Sequence, residues 1–128
     1  MLPDQYRLKR DRDFEILFKE GQFVSGTLLT MKVWKIDPIK YPKRGYKTDD
    51  LLLGFVVSTK ISKNAVVRNR LKRQMREVIR LLIKENRIKN GFMVGFLAKA
   101  EMIGKAYEEI ETSMMEILRR ASLLKSSS

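Results

Sequence analysis

The stretch Lys60–Arg80, KISKNAVVRNRLKRQMREVIR, decides how the rest of this chain is read. It carries eight basic side chains (Lys60, Lys63, Arg68, Arg70, Lys72, Arg73, Arg76 and Arg80) against one acid, Glu77. That surplus is more than half of the +12 net charge of all 128 residues. From about Asn64, the residues Val67, Leu71, Met75, Val78 and Leu82 recur every three or four positions, which predicts a helix with one buried stripe. Asn69, Arg73, Arg76 and Arg80 recur at the same intervals on the opposite side. A helix anchored along one face and cationic along the other holds a rigid row of charge against a polyanion. The alternative is a solvated face, which normally intersperses acidic partners at i,i+4; this face lacks them. It is also rich in Arg, whose planar fork engages a phosphate through two donors at once.

Composition narrows the chemistry. With 44% hydrophobic residues, the chain suits one domain, 1–128, with a small core. Zero Cys excludes disulfides and thiolate nucleophiles. Zero His removes the commonest general base and transition-metal ligand. Asp49-Asp50 and Glu108-Glu109 are adjacent pairs with no wider carboxylate constellation, so capping or surface charge explains them better than a nuclease metal site. No run of 18 apolar residues and no signal peptide is present, so a cytoplasmic protein with no membrane contact is expected.

In chain order, residues 1–10 read as an extended or mobile basic arm. Asp11 is placed to cap a short helix through about Glu20, stopped by Gly21, with Phe14, Leu17 and Phe18 on one face and Ile16 to the side. Residues 23–36 alternate as a strand, with Gly26 at its start or at a bulge. Residues 37–50, with two prolines and a glycine, form a loop whose Lys40, Lys43, Arg44 and Lys47 are expected to be solvated. Leu51–Ser58 reads as a central strand buried on both faces. The basic helix is expected to end near Ile88, before Lys89-Asn90-Gly91. Phe92–Ala98 is another apolar strand. A last helix over about 105–123 presents Tyr107, Ile110, Met114, Ile117, Leu118 and Ala121 on one face, and residues 124–128 read as a loose tail. This predicts an α+β sandwich, one sheet with helices packed on it and room for a further strand early in the chain.

Ala65-Val66-Val67-Arg68-Asn69-Arg70-Leu71-Lys72-Arg73, followed by Arg76-Glu77, resembles the RNR signature of the bacterial-type RNase P protein family. Asp13-Phe14 and Phe18 ahead of Gly21 resemble that family's first helix. The resemblance implies an α-β-β-β-α-β-α fold like domain 2 of ribosomal protein S5, with a left-handed β-α-β crossover through the basic helix. It implies a subunit of an endoribonuclease that removes 5′ leaders from precursor tRNAs, with catalysis carried by the RNA subunit, Mg²⁺ bound mainly by that RNA, and no protein partner required. On this basis Lys63, Arg68, Asn69, Arg70, Lys72, Arg73 and Arg76 are expected to seat the protein on the catalytic RNA. Phe14, Phe18, Lys32, Lys60 and Lys99 are expected to bind the single-stranded leader. The turn Ser58–Asn64 departs from the family's S-K-K-x-G, and Leu124 stands where some members place a tyrosine. A stand-alone or ribosome-associated RNA-binding protein would use the same ridge with no enzyme attached.

Overall fold

The computed structural model describes residues 2–8 and 11–125. Its sheet is built around β4 (Phe92–Ala98), an apolar strand buried on both faces and paired on both sides. On one side lies β3 (Leu51–Val56), parallel, and on the other β2 (Leu29–Lys35), antiparallel. β1 (Gln22–Ser25) completes the order β1-β2-β4-β3. The helices are α1 (Asp11–Glu20), α2 (Ala65–Lys84) and α3 (Tyr107–Arg120), so the element order is the expected α-β-β-β-α-β-α.

The long β segment at 23–36 is two strands. Gly26 N–H bonds to the Leu29 carbonyl at 2.8 Å and folds the chain into a hairpin. β3 is a flank strand, not the central one expected. Its outer edge is covered by the N-terminal segment, which corrects the expectation of an arm: Arg7 bridges Leu53, and Leu8 N–H bonds to the Leu53 carbonyl at 2.9 Å. An open strand edge exposes unpaired backbone groups, and this segment satisfies them. Leu2 and Leu8 are buried as a result. Residues 1, 9 and 10 of the expected arm lie outside the described residues.

α2 crosses from β3 to β4 on one face of the sheet, with α3 beside it. Leu71, Met75, Val78, Ile79 and Leu82 are buried there against Met31, Val94, Phe96, Ile110, Met114 and Ile117. Each such side chain contributes about 1.5–3 kcal/mol by leaving water. α2 stops at Lys84, earlier than expected, because Asn86 turns left-handed (φ 55°). Arg87 and Asn86 N–H then bond back to the Leu82 and Ile83 carbonyls at 2.8 and 3.0 Å, closing a Schellman cap. This frees Ile88 to enter the core and bridge Leu124. The start of the expected loose tail is therefore paired, with Lys125 N–H bonded to the Arg87 carbonyl at 2.8 Å; residues 126–128 lie outside the described residues.

α1 lies on the opposite face of the sheet. Leu8, Ile16, Leu17, Trp34, Ile36 and Met93 form a second, smaller core beneath it. The 37–50 loop folds back on this core. Tyr41 and Tyr46 meet the Trp34 ring edge-on at 5.7 and 6.1 Å, and Tyr46 O–H donates to the Asp13 carboxylate at 2.5 Å.

Candidate nucleic-acid interface

The basic helix is anchored at both ends. Asn64 caps α2 by accepting from Val66 N–H at 2.9 Å. Arg68 donates to the Ser62 carbonyl at 2.9 Å, bracing the turn that delivers the chain from β3 into α2. Asn69, Arg70 and Arg73 stand exposed, Arg68, Lys72 and Arg76 are half-buried along the helix flanks, and Lys63 is exposed just before the helix. Six of the seven residues expected to seat the protein on RNA thus lie on the N-terminal part of one rigid rod, with Lys63 beside them.

The structure adds Arg7, which sequence reasoning missed. The N-terminal segment brings it against α2, where Arg7, Arg73, Arg76 and Arg80 line one cavity of about 300 Å³ with Leu2 and Glu77. Arg7 Nε is buried there with no hydrogen-bond partner. Burial, and then the like charges of Arg7 and Arg73, push the Arg76 guanidinium below its ordinary pKa. Arg76 also sits 6.0 Å from the centroid of Phe55, itself stacked on Phe96 at 5.4 Å. Arg80 is neutralised differently. It grips Glu77, its i,i+3 neighbour, through two hydrogen bonds at 2.9 and 2.6 Å.

The second site is the face under α1. Sheet register places Phe23, Lys32, Gly95 and Gly54 in one row across β1, β2, β4 and β3. α1 crosses this row at very short range. A Cβ on Gly54 would stand 2.6 Å from the Phe14 ring, and one on Gly95 would stand 2.9 Å from Leu17. Leu17 points down into the row, Asp13 and Ile16 turn towards Trp34, and the 100° helical step puts Phe14 and Phe18 on the other flank. These two rings stack at 6.5 Å. Phe14 is half-buried, whereas Phe18 is 41% exposed. Two residues along each strand, on the same face, the row Ser25, Thr30, Leu97 and Val56 is only partly covered. The result is a shallow shelf with aromatic rings along one wall.

The lysines expected beside this shelf divide. Lys60 is exposed in the turn after β3. Lys99 closes the far end, donating to the Gly26 carbonyl at 2.6 Å and Ser25 Oγ at 3.1 Å, with Arg120 donating to the Ser25 carbonyl beside it. Lys32 is occupied elsewhere. It is 7% exposed, and its ammonium donates to the Phe18 and Gly21 carbonyls at 2.9 and 3.2 Å. It caps the C-terminus of α1, where the helix dipole favours a cation, so it offers the shelf little free charge.

The acidic pairs have structural work. Asp50 accepts from Lys47 N–H and Glu109 from Ala106 N–H, each at 2.9 Å. Among the described residues no three His, Cys, Asp or Glu side chains converge to hold a metal ion. No helix among the described residues is long and apolar enough to cross a membrane.

With this geometry in hand, comparison with known proteins is specific. Residues 2–122 match the family described as Ribonuclease P. A ribonuclease P protein component of Synechococcus sp. is 35% identical over 124 residues, covering 97% of this chain and 87% of the relative. The solved RNase P protein of Staphylococcus aureus superposes with a TM-score of 0.75 at 25% identity, covering 94% of this chain and 98% of that one. That of Thermotoga maritima gives a TM-score of 0.71 at 26% identity, covering 89% and 96%. The signature on α2, the fold that presents it and the match along nearly the whole chain agree: this chain belongs to the ribonuclease P protein family.

Proposed function

We propose that this chain is the protein subunit of a cytoplasmic RNase P ribonucleoprotein, binding the catalytic RNA through α2 and the 5′ leader of precursor tRNA on the shelf under α1. The observation that carries the reading is the pairing of two chemically different RNA-compatible surfaces on opposite faces of one small sheet. The α2 face is built for phosphates. Arg68, Asn69, Arg70, Lys72, Arg73 and Arg76, joined by Arg7, gather positive charge at a density that a compact, phosphate-rich fold would neutralise. The like-charge crowding around Arg76 is relieved when an anion enters, so binding energy is concentrated there.

The α1 face suits unpaired bases. Phe14 and Phe18 present ring faces on which bases stack whatever their sequence, and Lys60 and Lys99 flank the path of the backbone. Lys32 supports this surface from below by fixing the end of α1. In this reading the RNA subunit carries the chemistry together with its Mg²⁺, and the protein adds grip on the leader and offsets repulsion between two polyanions.

Reconstitution tests the proposal. The purified chain is mixed with a bacterial-type RNase P RNA and a labelled precursor tRNA at low magnesium. Restored 5′ processing is expected. No gain over the RNA alone, with the chain instead cosedimenting with ribosomal particles, would favour a ribosome-associated RNA-binding protein.

A further inference from the structure

The aromatic wall does not end at Phe18. Phe23, on the edge strand β1, is 65% exposed, a large apolar ring held out in water. Isolated exposed apolar residues are ordinary, but this one is fixed in place and continuous with a site. It lies directly across from Lys32 in the β1–β2 register, and the Lys32 ammonium sits 4.0 Å from its ring centroid. The same ammonium donates to the Phe18 carbonyl at 2.9 Å. One buried cation therefore ties the end of α1 to the Phe23 ring, orders that ring through a cation–π contact and leaves its opposite face free.

We infer that Phe23 is a third stacking platform for single-stranded RNA, extending the shelf beyond Phe14 and Phe18 to the edge of the sheet. The inference rests on the leader-binding reading of that shelf. Phe14 lies over Gly54 on β3, the Phe18 ring stacks on Phe14 at 6.5 Å, and Phe23 stands on β1, so the three rings line the α1 face of the sheet from the β3 flank to the β1 flank. A strand stacked on all three crosses the sheet rather than following any β-strand. The cation behind Phe23 removes the rotamer freedom that an exposed ring would otherwise lose on binding. The ligand is an unpaired nucleotide of any sequence, because every base offers a π-face.

The test uses the holoenzyme assembled with a bacterial-type RNase P RNA and precursor tRNAs carrying a graded series of leader lengths. Phe23→Ala is expected to weaken precursor binding by roughly 5- to 10-fold, the low end for one base–aromatic stack at an exposed edge. The loss should set in at a different leader length from that of Phe18→Ala, Phe23→Trp should restore it, and mature tRNA should bind unchanged. A 2-aminopurine scanned along the leader should lose quenching at one position in the Phe23→Ala holoenzyme. If Phe18→Ala weakens leader binding while Phe23→Ala matches the wild type at every length, the third platform is refuted and the shelf stands. If neither change affects any leader length, the leader-binding reading fails and this inference falls with it. An equal loss for mature tRNA also overturns the inference, since Phe23 then acts through the fold.

Discussion

The ring of Phe14 occupies the space where a side chain on Gly54 would begin: a Cβ there would stand 2.6 Å from two ring carbons. Gly54 pairs with Gly95 across β3 and β4, and Leu17 fills the corresponding space over Gly95. Two neighbouring glycines in apolar strands thus let α1 settle directly on the sheet, and the height of α1 sets the shape of the shelf.

Gly54→Ala should lift the N-terminal half of α1. Overpacking a tight contact of this kind costs about 1–3 kcal/mol. A urea melt should record that loss. Precursor tRNA binding should suffer more than mature tRNA binding, because Phe14 is displaced while α2 is untouched. Equal losses for the two RNAs would separate the shelf from the leader.

Phe18 is the cleaner probe of leader stacking, since Phe14 is half-buried and Phe18 is not. Phe18→Ala should weaken binding of precursor tRNA to the holoenzyme by about 1–3 kcal/mol. Its melting curve should move by less than the equivalent of about 1 kcal/mol. Phe14→Ala should lower both leader affinity and stability.

Arg76→Gln should separate binding from stability. The Arg76 guanidinium sits below its ordinary pKa because burial and the charges of Arg7 and Arg73 disfavour its charged form. At neutral pH it is charged folded or unfolded, so the depressed folded-state pKa makes the charge a net cost to folding. Removing it should leave stability unchanged or raise it, by no more than about 0.5 kcal/mol for a side chain this exposed, with the gain shrinking as salt is added. Affinity for the catalytic RNA should fall, and the slope of log K against log salt should flatten by about 0.7–0.9 for the lost phosphate contact. A destabilised variant with an unchanged salt slope would make Arg76 structural.

Lys32→Met keeps the bulk of the side chain and deletes the ammonium. The carbonyls of Phe18 and Gly21 lose their charged donor, and hydrogen bonds of this kind contribute about 1.5–3 kcal/mol. Thermal denaturation should show a loss of that order. A melting temperature equal to wild type would mean that water replaces the cap without cost, leaving Lys32 free to serve the leader directly.

What the amino-acid order determined here is whatever depends on neighbours within a few turns. The stripe from Leu71 to Leu82, the cationic face around Asn69 and Arg73, the bounds of α1 at Asp11 and Glu20, and the apolar strand Phe92–Ala98 all follow from periodicity and caps, which are local properties. The α-β-β-β-α-β-α order and the family were legible because the signature is continuous in sequence along one helix. Tertiary structure alone decided the rest. Lys32 reads as an exposed strand residue until register sets it beneath the last turn of α1, and only then does its ammonium meet two carbonyls and the Phe23 ring. Arg7 reads as part of an arm until the free edge of β3 recruits its backbone and swings its guanidinium against Arg76. α2 ends where Asn86 turns left-handed because Ile88 is needed in the core and against Leu124, a demand set by a strand pairing formed with the far end of the chain. Such roles arise from distances between residues far apart in sequence, and those distances exist only once the sheet has closed.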